Sequence, residues 1–220
     1  YTTNQGGNSV SVIDLATFLQ TALIPLSDGG FNLIMNASGS RLYVTTAGGT
    51  LYVIDPVTRG TITTLAVGAA ANGFVFSPDG ATLYVSSRDA GTVIAVATAT
   101  NTATRTYAVG NAPQRLAISP DGGELYVATE GVGVSIVNVS SGAITQVPMV
   151  TGGYGIGLTP DGTQLFVTSP LNGSITVLDR TSHATVLTYT NFGRPRNVAF
   201  RAGTCTAIVS DENGQIIFLR

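Results

Sequence analysis

Charge is what this sequence has least of. Only 10% of its 220 residues are charged, well under the ~25% of an average soluble domain, whereas 44% are hydrophobic. Most side chains must therefore be kept from water by packing. There is no tryptophan and no lysine, and histidine and cysteine occur once each, as His183 and Cys205. A lone cysteine excludes an internal disulfide framework and a cysteine-ligated zinc site within one chain. The basic residues are all arginines, scattered singly apart from Arg194 and Arg196, and the net charge is -2. No basic tract offers itself to nucleic acid or anionic lipid, and the acidic balance argues against nucleic acid as a partner. Long apolar runs are missing as well: Ser, Thr, Gly or Asp interrupts each within a few residues, so none approaches the ~20 residues of a membrane-spanning helix, and membrane insertion is not expected.

What is abundant is repetition. "SPDGATLYVSS" at 77–87 returns as "SPDGGELYVAT" at 119–129 and "TPDGTQLFVTS" at 159–169, and Tyr43, Tyr84, Tyr126 and Phe166 hold one place in phrases about 41 residues apart. Within each unit apolar residues alternate with period two, as in "SVSVID", "TLYVID" and "SITVLD", between turns of Gly, Asn, Asp and Pro. Four short strands, A to D, fit in each unit, and no window carries a helical period. A four-stranded unit of about 40 residues has the length of a β-propeller blade, and blades packed face to face bury both sides of every sheet. The expected fold is thus an all-β propeller in one domain spanning 1–220. In the Pro-Asp-Gly turn, Pro presets φ, Asp caps through its side chain and Gly takes a positive φ, so Asp79, Asp121 and Asp161 read as structural rather than catalytic.

The phrases "YTTNQGGNSVSVID", "LYVTTAGGTLYVID" and "LFVTSPLNGSITVLD", with "VGNAPQRLAISPDG" following one D strand, resemble YVTN-type β-propeller repeats along the whole chain. That resemblance implies the propeller fold and an extracytoplasmic setting, periplasmic, secreted or on the cell surface, as in surface-layer and periplasmic binding propellers. Sequence-similar propellers also include lactonases, a streptogramin lyase and haem- or quinone-bearing proteins. A start at Tyr1 and a composition rich in Thr and Ser fit the extracytoplasmic expectation.

Strand counting gives six B, six C, five A and five D strands, 22 in all, where six complete blades would need 24. The reading favoured here is six blades with incomplete ends; five closed blades with a surplus pair, or a fragment of a seven-bladed ring, are the alternatives. Unpaired strand edges at the seam would invite a second copy or a partner strand.

In such a repeat the D-to-A and B-to-C connections share one face. Aligned by repeat, the two residues ahead of each A strand are Phe31 and Asn32, Asn72 and Gly73, Gln114 and Arg115, Tyr154 and Gly155, Arg196 and Asn197. Phe31, Asn72, Gln114, Arg115, Tyr154, Arg194, Arg196 and Asn197 form the candidate rim, its guanidiniums, amides and rings suited to an anionic or sugar-like ligand or to an acidic loop of a partner protein. A hydrated rim with no ligand is the plainer alternative. Nearby B-to-C loops contribute Arg88, Asp89, Glu130, Asp211 and Glu212. His183, Asp14, Asp55 and Asp179 fall in C-to-D turns on the other face. With no acid/base or nucleophile pair on the rim, no catalytic residue, metal or cofactor is expected, and the reading is a binding module. The alternative is a lactonase- or lyase-like enzyme that would use Glu130, Asp211 or Glu212 with a metal.

Overall fold

Period-two alternation places successive side chains on opposite faces of a strand, and the protein folds as that pattern demands. The computed structural model describes every residue except 111, 202, 205 and 220. Cys205 and Arg220 therefore lie outside the described residues, among which there are 22 strands and no helix. The strands form six separate antiparallel sheets, an all-β, propeller-like arrangement, and the chain divides into two compact units, Tyr1–Ala108 and Val109–Arg220.

In the first unit, β1 (Thr2–Asn4), β2 (Ser9–Ile13) and β3 (Gln20–Pro25) form a three-stranded sheet. Two four-stranded meanders follow: β4 (Gly30–Met35), β5 (Leu42–Thr46), β6 (Thr50–Ile54) and β7 (Thr61–Ala66), then β8 (Ala71–Phe76), β9 (Thr82–Ser87), β10 (Thr92–Ala97) and β11 (Thr102–Ala108). The second unit holds two more, β12 (Pro113–Ile118), β13 (Glu124–Thr129), β14 (Gly133–Asn138) and β15 (Ile144–Pro148), and β16 (Ile156–Leu158), β17 (Gln164–Ser169), β18 (Ser174–Asp179) and β19 (Thr185–Tyr189). It ends in the three-stranded sheet β20 (Pro195–Phe200), β21 (Ala207–Asp211) and β22 (Ile216–Leu219). The first sheet lacks an A strand and the last a D strand, as the strand count anticipates.

Burial explains the scarcity of charge. All five residues of β5 are buried, because neighbours in sequence serve different cores. Leu42 and Val44 pack with Val10 and Ile24, whereas Tyr43 packs with Leu51, Leu83 and Val85. The second unit repeats the scheme: Tyr126 and Leu165 share one cluster, and Phe166, Ile175 and Val209 another. Each such side chain contributes roughly 1.5–3 kcal/mol by leaving water. The outermost D strands cover little, and six of the seven β11 residues are exposed.

The repeated turns are held by their own side chains. Gly80, at φ +70°, donates its N–H to the Ser77 carbonyl. Asp79 accepts from the Ser77 hydroxyl at 2.6 Å and the Ala81 amide at 3.0 Å. Asp121 and Asp161 repeat this with Ser119 and Gly123, and with Thr159 and Thr163. Hydrogen bonding to hydroxyl and amide holds all three carboxyls below the usual range. In the C-to-D turns, Asp14, Asp55 and Asp179 each accept two following amides. There the chain reverses through a left-handed residue, Phe18, Arg59 or His183.

Candidate functional site

The candidate site begins with a defect in the strand ladder. Pairing slips between Gly30 and Asn32 in β4, Ala71 and Phe74 in β8, Pro113 and Leu116 in β12, and Pro195 and Val198 in β20. The residues expected just ahead of the A strands therefore sit inside them, in β-bulges; only Tyr154 and Gly155 precede their strand, β16. A bulge leaves its extra residue out of the ladder and turns its side chain aside, which is why bulges recur beside binding sites.

The freed amide of the bulge needs an acceptor. Gly73 and Asn197 find one in a hydroxyl of the adjacent B strand, Ser86 and Ser210, and Gly155, ahead of β16, uses Thr168 in the same way. Ala128 occupies that place in β13 and has no hydroxyl. The Arg115 amide instead donates to the Tyr154 carbonyl at 3.2 Å, and the Arg115 Nε donates to Asn197 Oδ1 at 3.0 Å. One alanine thus accompanies a link that joins all three sheets of the second unit.

Each expected rim residue has a definite place. Phe31 and Asn72 belong to the first unit, where Phe31 is half-buried and its carbonyl accepts from Thr3. Asn32 donates to the Asn72 carbonyl at 2.5 Å. The Asn72 and Gln114 side chains are only 4% and 2% exposed, so they pack rather than line an open rim, and Gln114 donates to Glu130 at 2.7 Å. Gln114, Arg115, Tyr154, Arg194, Arg196 and Asn197 all lie in the second unit, at the starts of β12, β16 and β20. Arg115 and Arg196 are half-buried residues within β12 and β20, not residues ahead of those strands. Burial draws the Arg115 pKa below its ordinary value while neighbouring Tyr154 opposes the shift; an arginine stays charged regardless.

The Arg196 guanidinium lies over the Tyr154 ring, 4.2 Å from its centre, within cation–π range. Its Nε and Nη2 also contact Glu212 Oε1, while Arg194 Nε meets Glu212 Oε2 at 2.8 Å. One internal carboxylate thus bridges the two arginines. Asp211 is committed to the Arg194 and Asn213 amides, and these amide bonds hold its carboxyl below the usual range.

Glu130, Thr151, Gly153, Tyr154, Pro170, Leu171, Arg194 and Arg196 enclose a cleft of about 140 Å³. That is less than the ~300–1,000 Å³ of cofactor-sized pockets, so it admits a group the size of a side chain. Two larger clefts of the second unit are lined without arginine. Among the described residues no group of three or more His, Cys, Asp or Glu side chains could hold a metal ion, and no helix is long and apolar enough to cross a membrane. His183 sits in its C-to-D turn as expected.

Thr151, Gly153, Pro170 and Leu171 were not foreseen, yet the repeat carried a signal for one of them. Ala47, Arg88, Glu130 and Glu212, four residues after the B-strand Tyr position, each donate an amide to a carbonyl ahead of the A-strand bulge, laying the B-to-C loop over it. Pro170 occupies that position in the fifth repeat and has no N–H to give; the cleft lies beside it.

No family profile matches the sequence, and no curated protein does. Among solved structures, the chain is similar to hydrazine synthase from Kuenenia stuttgartiensis, with a TM-score of 0.64 and 17% identity over 98% of this chain and 90% of that one. At that identity the likeness concerns the fold alone.

Proposed function

We propose that the protein is a non-enzymatic, extracytoplasmic binding module of the YVTN-propeller type. Its sheets act as blades of a six-bladed ring with incomplete ends, and its ligand, a protein or a small polar or anionic molecule, is engaged at the cleft of the second unit. The observation that carries this reading is the Arg196–Tyr154 stack beside Arg194 in a side-chain-sized cleft. Two guanidiniums there offer planar donor arrays to a carboxylate or phosphate, and the bulges of β12 and β20 hold one wall in place. A metal-assisted hydrolase would need Glu130, Asp211 or Glu212 as ligands or bases. Each is bonded to protein donors instead, so binding is the preferred reading.

The test is a double replacement of the two cleft arginines, Arg194→Ala with Arg196→Ala, read by isothermal titration against acidic peptides, uronates and phosphates. Loss of anion binding that the wild type shows, with His183→Ala binding normally, is the expected result. Normal binding by the double variant and loss in His183→Ala would move the working surface to the C-to-D turns.

A further inference from the structure

The Arg194–Arg196 pair already holds a ligand of a kind. The Glu212 carboxylate reaches it from the turn between β21 and β22, one oxygen on each guanidinium, and the chain that delivers it reads Ser-Asp-Glu-Asn-Gly at 210–214. A short acidic peptide loop laid across two arginines is the arrangement a partner's acidic loop would make. We propose that Glu212 is an internal stand-in for the ligand, and that the cleft recognises a carboxylate borne on an acidic peptide segment, which competes with Glu212 for the two arginines.

This rests on the binding reading above and narrows it. Three features support the narrowing. The cleft, at about 140 Å³, takes one side chain more readily than a whole cofactor. The pair is reached from solvent on the Arg194 side, with the Arg194 side chain 52% exposed and that of Arg196 25%, so an incoming carboxylate can meet Arg194 first and displace Glu212 without unfolding anything. Each guanidinium carries five N–H donors, and the contacts to Glu212 use Nε of Arg194 and Nε and Nη2 of Arg196. The pair therefore has donors for a second carboxylate as the first is displaced. Across the cleft, Glu130 is tied to Gln114 and sets an anionic limit on that side. A ligand carrying one well-placed carboxylate is favoured over a multiply charged phosphate, which would meet both Glu130 and Glu212. A free uronate shares the carboxylate chemistry and is the other source to be distinguished.

The experiment compares the wild type with Glu212→Gln, which keeps the side chain's shape and removes its charge. The probes are a dodecapeptide of alternating Glu and Gly, the same peptide with Gln for Glu, and galacturonate, each titrated calorimetrically at one salt concentration. The expected result is wild-type binding of the Glu peptide alone, with Glu212→Gln binding it roughly three- to tenfold more tightly, the scale of one partly exposed ion pair. Unchanged or weaker binding by Glu212→Gln overturns the competition and leaves the site reading standing. Galacturonate binding more tightly than the peptide overturns the peptide source. If neither protein binds any probe, the site reading falls and this proposal with it. Glu212 is an exposed turn residue, and unchanged melting of the variant verifies that the affinities compare folded proteins.

Discussion

Tyr43 and Tyr126 occupy the same place in their repeats, and both are fully buried, yet their hydroxyls fare differently. The Tyr126 hydroxyl donates to Glu124 at 2.6 Å, and Arg180 lies 3.7 Å from the same carboxylate. Burial and that carboxylate both push the Tyr126 pKa up, keeping the phenol a donor. The Tyr43 hydroxyl is buried with no partner among the described residues, and its ring meets Phe76 edge-on at 5.7 Å. A buried hydroxyl left unsatisfied costs about 1–3 kcal/mol, and a hydrogen bond to a charged group contributes about 1.5–3 kcal/mol. Replacing each tyrosine with phenylalanine should therefore have opposite effects. Tyr43→Phe is expected to stabilise by about 1 kcal/mol, raising the melting temperature by roughly 2–4 °C for a chain of this size. Tyr126→Phe should destabilise by about 1–2 kcal/mol, because it removes a hydrogen bond to a carboxylate that is partly exposed and keeps Arg180 beside it. The fifth repeat already carries Phe166 here. Urea unfolding followed by tyrosine fluorescence and by circular dichroism measures both. If Tyr43→Phe loses more than about 1 kcal/mol, its hydroxyl has a partner and the reasoning is refuted.

Three further outcomes follow from the same repeat comparison. His183→Gly should stabilise by about 0.5–1 kcal/mol in thermal melts, since His183 holds φ +58° where the fourth repeat has Gly142 at +79°; a destabilised variant would show that the imidazole makes a contact worth more than the strain. The turn carboxylates Asp79, Asp121 and Asp161 titrate below their ordinary 3.8 in the folded state. Their contribution is complete above that value and lost as pH falls through the lowered folded pKa. Melting temperature should drop as pH falls below about 4, and the triple Asp→Asn variant should show a shallower drop; identical profiles would contradict this. The Arg194→Ala, Arg196→Ala protein should lose anion affinity while melting within a few degrees of the wild type, because Arg194 is exposed and Arg196 only half-buried.

The architecture was legible because one phrase recurs. Tyr43, Tyr84, Tyr126 and Phe166 mark B strands, and counting from them predicts the incomplete first and last sheets. Strand starts were less legible: Asn72 and Gln114 look like loop residues beside Gly73 and Arg115, but the ladder resumes ahead of them after a bulge. Alternation fails inside a bulge, so a period-two reading begins the strand too late. The site was legible as a set of positions and not as a set of contacts. Nothing in the order of residues says that Glu212 bridges Arg194 and Arg196, since that depends on how the β21–β22 turn folds over the start of β20. Ala128 was a readable clue, the one non-hydroxyl at a position held elsewhere by Thr45, Ser86, Thr168 and Ser210, but its consequence, the Arg115–Tyr154 link, appears only in three dimensions.

The proposed cleft of the second unit would bind a carboxylate through Arg194 and Arg196. Amide chemical-shift mapping on the isotopically labelled protein, titrated with the Glu-Gly dodecapeptide, tests it most directly. Shifts are expected to concentrate at 151–154, 171, 194–197 and 211–213, with the C-to-D turn at 179–184 unmoved. Shifts confined to that turn, or no shifts at millimolar peptide, would contradict it.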